Sequence, residues 1–129
     1  MNYLLDTCSM LWLVNGSPEL SAEARRACGE TGARLHVSAG SAWEIALKHG
    51  RRKLVLPLAP VAWWQKALER HGLIELPITA SIAVASAALP RIHHDPFDRV
   101  LIATAQEHRL AFLTPDPTIK SYPDLKTTW

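Results

Sequence analysis

Short apolar runs and longer amphipathic stretches alternate along the 129 residues. Asn2-Tyr3-Leu4-Leu5 suits a buried strand and stops at Asp6-Thr7. Ser9 to Val14 follows as a largely apolar helix ended by Asn15-Gly16. Ser17-Pro18-Glu19 opens a second helical stretch, with Leu20, Ala24, Ala27 and Cys28 on its inner face and Gly29 and Gly32 at its end. Leu35-His36-Val37 predicts a second strand. Ser38 then caps a helix that runs to His49, with Ala42, Ile45, Ala46 and Leu47 inward and Gly50 as its stop.

Leu54-Val55-Leu56 is a short apolar link framed by Pro57 and Pro60. Val61 to Arg70 reads as a helix with Val61, Trp64 and Leu68 at helical spacing, which leaves Trp63 nearer the surface. Leu73 to Leu76 predicts a third strand, and Thr79 caps an Ala-rich helix from Ala80 to Leu89. Asp95-Pro96 starts the next helix: the carboxylate caps its first turn, and proline fits the first helical position, where no N–H is needed. Phe97, Leu101, Ile102 and Ala105 make its buried face. Leu110 to Leu113 predicts a fourth strand, Thr118 to Tyr122 a short helix behind Asp116-Pro117, and Lys126 to Trp129 an edge strand. The order β-α-α-β-α-α-β-α-α-β-α-β predicts an α/β fold with a mostly parallel central sheet flanked by helices.

Composition alters this picture little. The length suits one domain, residues 1–129, with a sizeable core; 48% apolar and 20% charged residues are ordinary for a globular chain. A net charge of +2 neither argues for nucleic acid nor excludes it. Cys8 and Cys28 lack the spacing of a zinc site or disulfide framework, so two buried thiols in a reducing cytoplasm are expected. No secretory leader and no membrane span are expected from the apolar pattern. The nucleophile-elbow, P-loop and dinucleotide-binding patterns are absent.

Four acids change the picture more. Asp6 and Asp116 stand just past the carboxyl ends of predicted strands, where open parallel sheets place their ligands. Glu44 and Asp98 lie on neighbouring helices. Each has a plain structural alternative: a helix cap for Asp6, an i,i+4 partner in Lys48 for Glu44, and a capping-box contact for Asp98. Gathered in one crevice, four carboxylates raise one another's pKa and require a positive partner. Lys48 and Arg99 are the nearby side chains of that sign, and Mg²⁺ or Mn²⁺ does the same with oxygen ligands. Such an ion can assist attack on a phosphodiester. His93 and His94 invite zinc, but without a Cys or further His at ligand spacing they read as residues flanking the helix start or near the surface.

The blocks Leu4-Leu5-Asp6-Thr7, Ser41-Ala42-Trp43-Glu44-Ile45-Ala46, Lys53-Leu54-Val55-Leu56-Pro57, His94-Asp95-Pro96-Phe97-Asp98-Arg99-Val100-Leu101-Ile102-Ala103 and Leu113-Thr114-Pro115-Asp116 resemble, in order and over the whole chain, PIN-domain proteins of the VapC toxin type. The D-P-F-D-R-x-L-I-A block with W-E-I is the specific combination; the D-T pair alone is not. The resemblance implies a three-layer PIN-like fold and a Mg²⁺- or Mn²⁺-dependent endoribonuclease, with Asp6, Glu44, Asp98 and Asp116 as metal-binding and catalytic acids. It implies that Thr114 orients the acids. Arg99 matches a position open to two roles, a salt bridge to a site carboxylate or contact with a substrate phosphate. A VapB-type antitoxin and a homodimer are implied as partners, and Trp12, Trp63 and Trp64 are candidates for an interface. The competing reading is a non-catalytic RNA-binding or regulatory module on the same fold.

Overall fold

In the computed structural model, which describes residues 1–129, five strands form one sheet in the order β3-β2-β1-β4-β5. They are β1 (Asn2–Leu5), β2 (Arg34–Ser38), β3 (Ile74–Leu76), β4 (Ala111–Leu113) and β5 (Thr127–Thr128). Every pairing is parallel, so the expectation of a mostly parallel sheet is met in full. The helices are α1 (Thr7–Asn15), α2 (Ala22–Gly29), α3 (Ala39–Gly50), α4 (Pro60–His71), α5 (Ala80–Ala88), α6 (Pro96–His108) and α7 (Pro117–Lys120). Their order along the chain is the predicted one.

Strand alternation sorts the core into two layers. Tyr3, Leu5, Leu35, Val37, Ala111 and Leu113 face one side, against Met10 of α1, Ala24 and Ala27 of α2, Ile45 of α3, and Trp63, Trp64 and Ala67 of α4. Leu4 and Phe112 face the other side, against Leu101, Ile102 and Ala105 of α6 and Ile119 of α7. The result is a helix–sheet–helix sandwich. β1 lies between β2 and β4, and Leu5 pairs with Leu113, so the residues after both strands emerge side by side.

Local chemistry fixes the helix ends. Asp6, Ser21, Ser38, Thr79, Asp95 and Asp116 each cap a helix by accepting a backbone N–H. Gly16 (φ 62°) and Gly72 (φ 60°) close α1 and α4 in the left-handed region that glycine enters without strain. The second helix starts at Ala22 and not at Ser17, because the Ser21 hydroxyl, not that of Ser17, accepts the N–H of Ala24.

Several expectations are corrected. Trp63 is buried and Val61 is 67% exposed, because the apolar face of α4 runs through Trp63, Trp64 and Ala67. Burial of Trp63 and Trp64 in the core also removes them as interface candidates. Phe97, expected on the buried face of α6, is only half-buried and meets Trp43, itself 60% exposed, edge-on. The thiols are free but not buried: Cys8 is exposed and Cys28 intermediate. No helix is long and apolar enough to cross a membrane.

Candidate active site

The reversal of winding between β1 and β4 sets the site. Asp6 leaves β1 and Asp116 lies three residues past the end of β4; α3 brings Glu44, and the first turn of α6 brings Asp98. All four line one crevice of about 260 Å³, with Thr7, Cys8, Trp12, Lys48, Asp95 and Pro115. A larger hollow between α1 and α4, lined by Val14, Trp63 and Arg70 among others, contains no carboxylate.

Asp6 is both cap and crevice residue. Its Oδ1 accepts the N–H of Ser9 at 2.7 Å, and the residue is buried. Burial raises its pKa above the ordinary value, against hydrogen bonds from Ser9 and Thr114. Thr114, fully buried, accepts the N–H of Asp116 at 3.1 Å and so fixes the turn between β4 and Asp116. Asp116 accepts the N–H of Thr118 at 2.9 Å and so caps α7. Next door, the Thr7 hydroxyl donates to Ser41 at 2.9 Å and ties α1 to α3 below the crevice.

Glu44 fits both of its readings. One oxygen, Oε2, lies 3.0 Å from Lys48 Nζ, an i,i+4 ion pair. The other, Oε1, is buried and has no partner. An unpaired carboxylate oxygen in a crevice of acids is costly unless a cation is supplied.

His93 flanks the start of α6 as expected, but its contacts with the acids were not foreseen. Its Nε2 lies 3.0 Å from Asp116 Oδ2 and 3.1 Å from Asp98 Oδ2. Its Nδ1 accepts the backbone N–H of Asp95 at 3.1 Å. A ring nitrogen that accepts carries no proton, so the proton sits on Nε2 and is donated to the two carboxylates. Its own backbone N–H donates to the Tyr122 hydroxyl at 2.7 Å, which fixes the segment. The same contacts exclude a capping box for Asp98, since the N–H it would have bonded is already taken by His93. The signal available in the sequence was a histidine two residues before the cap, within reach of the cap's own N–H.

Of the two roles left open for Arg99, the salt bridge to a site carboxylate is not formed. Its guanidinium donates to the carbonyls of Ser86, Ala87, Leu89, Pro90 and His93, at 2.8 to 3.4 Å. It thereby ties the end of α5 and the following loop to α6.

Electrostatics differ among the acids. Burial, then the charge of Asp95, push Asp98 up to about 7; His93 opposes, and Glu44 and Asp6 add to the rise. Burial also raises Asp116, but the His93 hydrogen bond and the N–H of Thr118 outweigh it, so its pKa falls below the ordinary value. Cys8 is exposed at the rim, yet desolvation of its thiol by the crevice walls, with the charge of Asp6 adding to it, pushes its pKa up to about 11 and keeps it protonated. His93, Asp98 and Asp116 offer ligand atoms that all lie within 4.8 Å of one another. With Nε2 protonated, the available donors are carboxylate oxygens. That set, with the orphaned Glu44 Oε1, fits a hard divalent cation.

A PIN-domain family profile matches residues 3–125, and the chain belongs to the PIN-domain family. Within it the chain is of the VapC type. It is 32% identical over 129 residues to Ribonuclease VapC22 of Mycobacterium tuberculosis, covering 98% of this chain and 97% of that one. Its fold is similar to VapBC2 from Rickettsia felis bound to a DNA fragment from their promoter: TM-score 0.72, 15% identity, 99% of this chain and 98% of that one. DNA-bound VapBC from Salmonella typhimurium gives TM-score 0.72, 17% identity, and coverage of 99% and 97%.

Proposed function

We propose that the chain, as one PIN domain, is a divalent-metal-dependent endoribonuclease and the toxin of a VapBC-type pair acting in the cytoplasm. The observation that carries this reading is the convergence of Asp6, Glu44, Asp98 and Asp116 on one crevice, with a buried carboxylate oxygen of Glu44 left unpartnered. A binding module has no use for that much negative charge beside RNA phosphates. The relative VapC22 bears the name ribonuclease, which supports the same activity here.

Asp6, Asp98, Asp116 and Glu44 would hold Mg²⁺ or Mn²⁺. When bound, such an ion supplies Lewis-acid polarisation and neutralises charge at the phosphate. The chain's own groups do the rest. Thr114 and His93 fix the acids' orientation through the hydrogen bonds described above. Lys48 neutralises one oxygen of Glu44 and leaves the other free. In the metal-free chain burial and the neighbouring acids push Asp98 up to about 7, so a proton there would give way when a cation binds.

The structural neighbours are VapBC complexes, and this supports a VapB-type antitoxin as partner. Exposed apolar side chains at Trp43, Val55, Val61 and Val84 offer surface for that partner or for a second copy in a homodimer. The test is cleavage of a mixture of structured RNAs by antitoxin-free protein, in Mg²⁺, Mn²⁺ and EDTA. Cutting that needs the ion and disappears in Asp98→Asn supports the reading. Cutting undiminished in Asp98→Asn refutes the site. Absence of cutting in every lane, with no metal uptake, favours the non-catalytic module.

A further inference from the structure

On the far side of the His93 ring the sign of the charge reverses. A second hollow, about 180 Å³, is lined by Ala87, Arg91, His93, His94 and Arg99. It contains no carboxylate, and neither Arg91 nor Arg99 is ion-paired. The carbonyls that hold the Arg99 guanidinium anchor it without cancelling its charge. Arg91 and His94 are exposed and make no hydrogen bond to the rest of the protein through their side chains. A fixed charge therefore lies at the wall of this hollow, with two free donors at its rim. His93 lines it and also touches Asp98 and Asp116, so one imidazole separates the acidic crevice from the basic one.

An RNA strand carries a charge at every nucleotide, and a crevice of four acids repels those that are not neutralised there. Its neighbouring phosphates need cations close by. Lys48 is engaged with Glu44. Arg51, Arg52 and Lys53 lie beyond the far end of α3. The basic hollow adjoins the acids directly. We propose that it is a subsite for the RNA backbone phosphate next to the one that is cut. Arg91 and His94 bind that phosphate, and Arg99 supplies a standing field. The proposal rests on the ribonuclease reading and adds to it where the strand is held.

The test compares the wild-type chain with Arg91→Gln, Arg91→Lys and, as a control on α4, Lys66→Gln. Affinity for a short fluorescein-labelled single-stranded RNA is measured across a KCl series in Ca²⁺, and KM and kcat for RNA cleavage are measured in Mg²⁺ or Mn²⁺. Arg91→Gln is expected to weaken binding about tenfold and to reduce the salt slope by about 0.7, one single-strand phosphate contact. KM should rise with kcat little changed, Arg91→Lys should recover most of the loss, and Lys66→Gln should do nothing. Equal losses in Arg91→Gln and Lys66→Gln would mean a diffuse field and overturn the subsite. So would unchanged RNA binding in Arg91→Gln. If the wild-type chain neither binds nor cuts RNA, the ribonuclease reading fails with it; if it cuts RNA and Arg91→Gln has the same KM, the subsite alone fails.

Discussion

His93 Nε2 lies 3.0 Å from Asp116 Oδ2, while the other nitrogen of the same ring accepts the N–H of Asp95. The ring is thereby held as an N–H donor and spans Asp116 and Asp98. It orients the acids and does not itself offer a lone pair to an ion. His93→Ala should therefore weaken divalent-metal binding by about 10- to 100-fold, the usual cost of losing a hydrogen-bond partner of ligating groups. His93→Gln, which keeps an N–H donor, should recover part of it. Calorimetric metal titration checks this, and unchanged affinity in His93→Ala would make the ring a bystander.

Asp98 contributes to the pH response of the metal-free protein, in the same direction as Asp6 and against Asp116. Its folded pKa of about 7 exceeds the ordinary 3.8, so the native chain holds this proton more tightly than the unfolded chain does. The resulting stability is fully present below about pH 4, declines as pH rises, and is gone above about pH 7. Melting in EDTA should show that decline, and Asp98→Asn should flatten it. A wild-type melting temperature that rises from pH 4 to pH 7 would contradict the assignment.

Asp6 serves the fold and the crevice at once, and two substitutions separate these roles. Asp6→Asn keeps a capping oxygen for Ser9 and removes a buried charge. It should raise the metal-free melting temperature by roughly 3–5 °C, the equivalent of about 1 kcal/mol, while cleavage is lost. Asp6→Ala also loses the cap, at a cost of about 1 kcal/mol. Differential scanning calorimetry in EDTA distinguishes them; a clear drop in Asp6→Asn would mean that the charge itself stabilises the fold.

Arg99 should behave as a structural residue. Arg99→Ala frees the carbonyls at the end of α5 and should cost about 1.5–3 kcal/mol. Arg99→Lys should recover little, because an ammonium cannot match the planar fork. Denaturant melts read the loss. Metal affinity at a temperature where the variant is folded should stay near that of the wild type.

Much of this was legible in the chain. Strand ends at Asp6 and Asp116, proline-led helix starts at Pro96 and Pro117, and glycine stops at Gly16 and Gly72 are local signals, and each appears where the pattern put it. The parallel alternation allowed β1 and β4 to be neighbours where the winding reverses, and the sheet pairs them. What escaped depended on tertiary direction. The choice between Val61 and Trp63 as core residue was settled by the rotation of α4 against the sheet, which spacing alone does not fix. Arg99 beside an acid block suggested charge pairing, yet the end of α5 and the loop after it offered it a ring of carbonyls instead. His93 looked like surface because its partner acids lie on α6 and 23 residues further along the chain.

The central claim is that the four-acid crevice is a cation site. Calorimetric titration of antitoxin-free protein with Mn²⁺ and with Mg²⁺, beside Asp98→Asn and Glu44→Gln, tests it most directly. Saturable binding by the wild-type chain is expected, weakened at least about tenfold in both variants. Absence of binding in the wild type, or undiminished binding in Asp98→Asn, would contradict it.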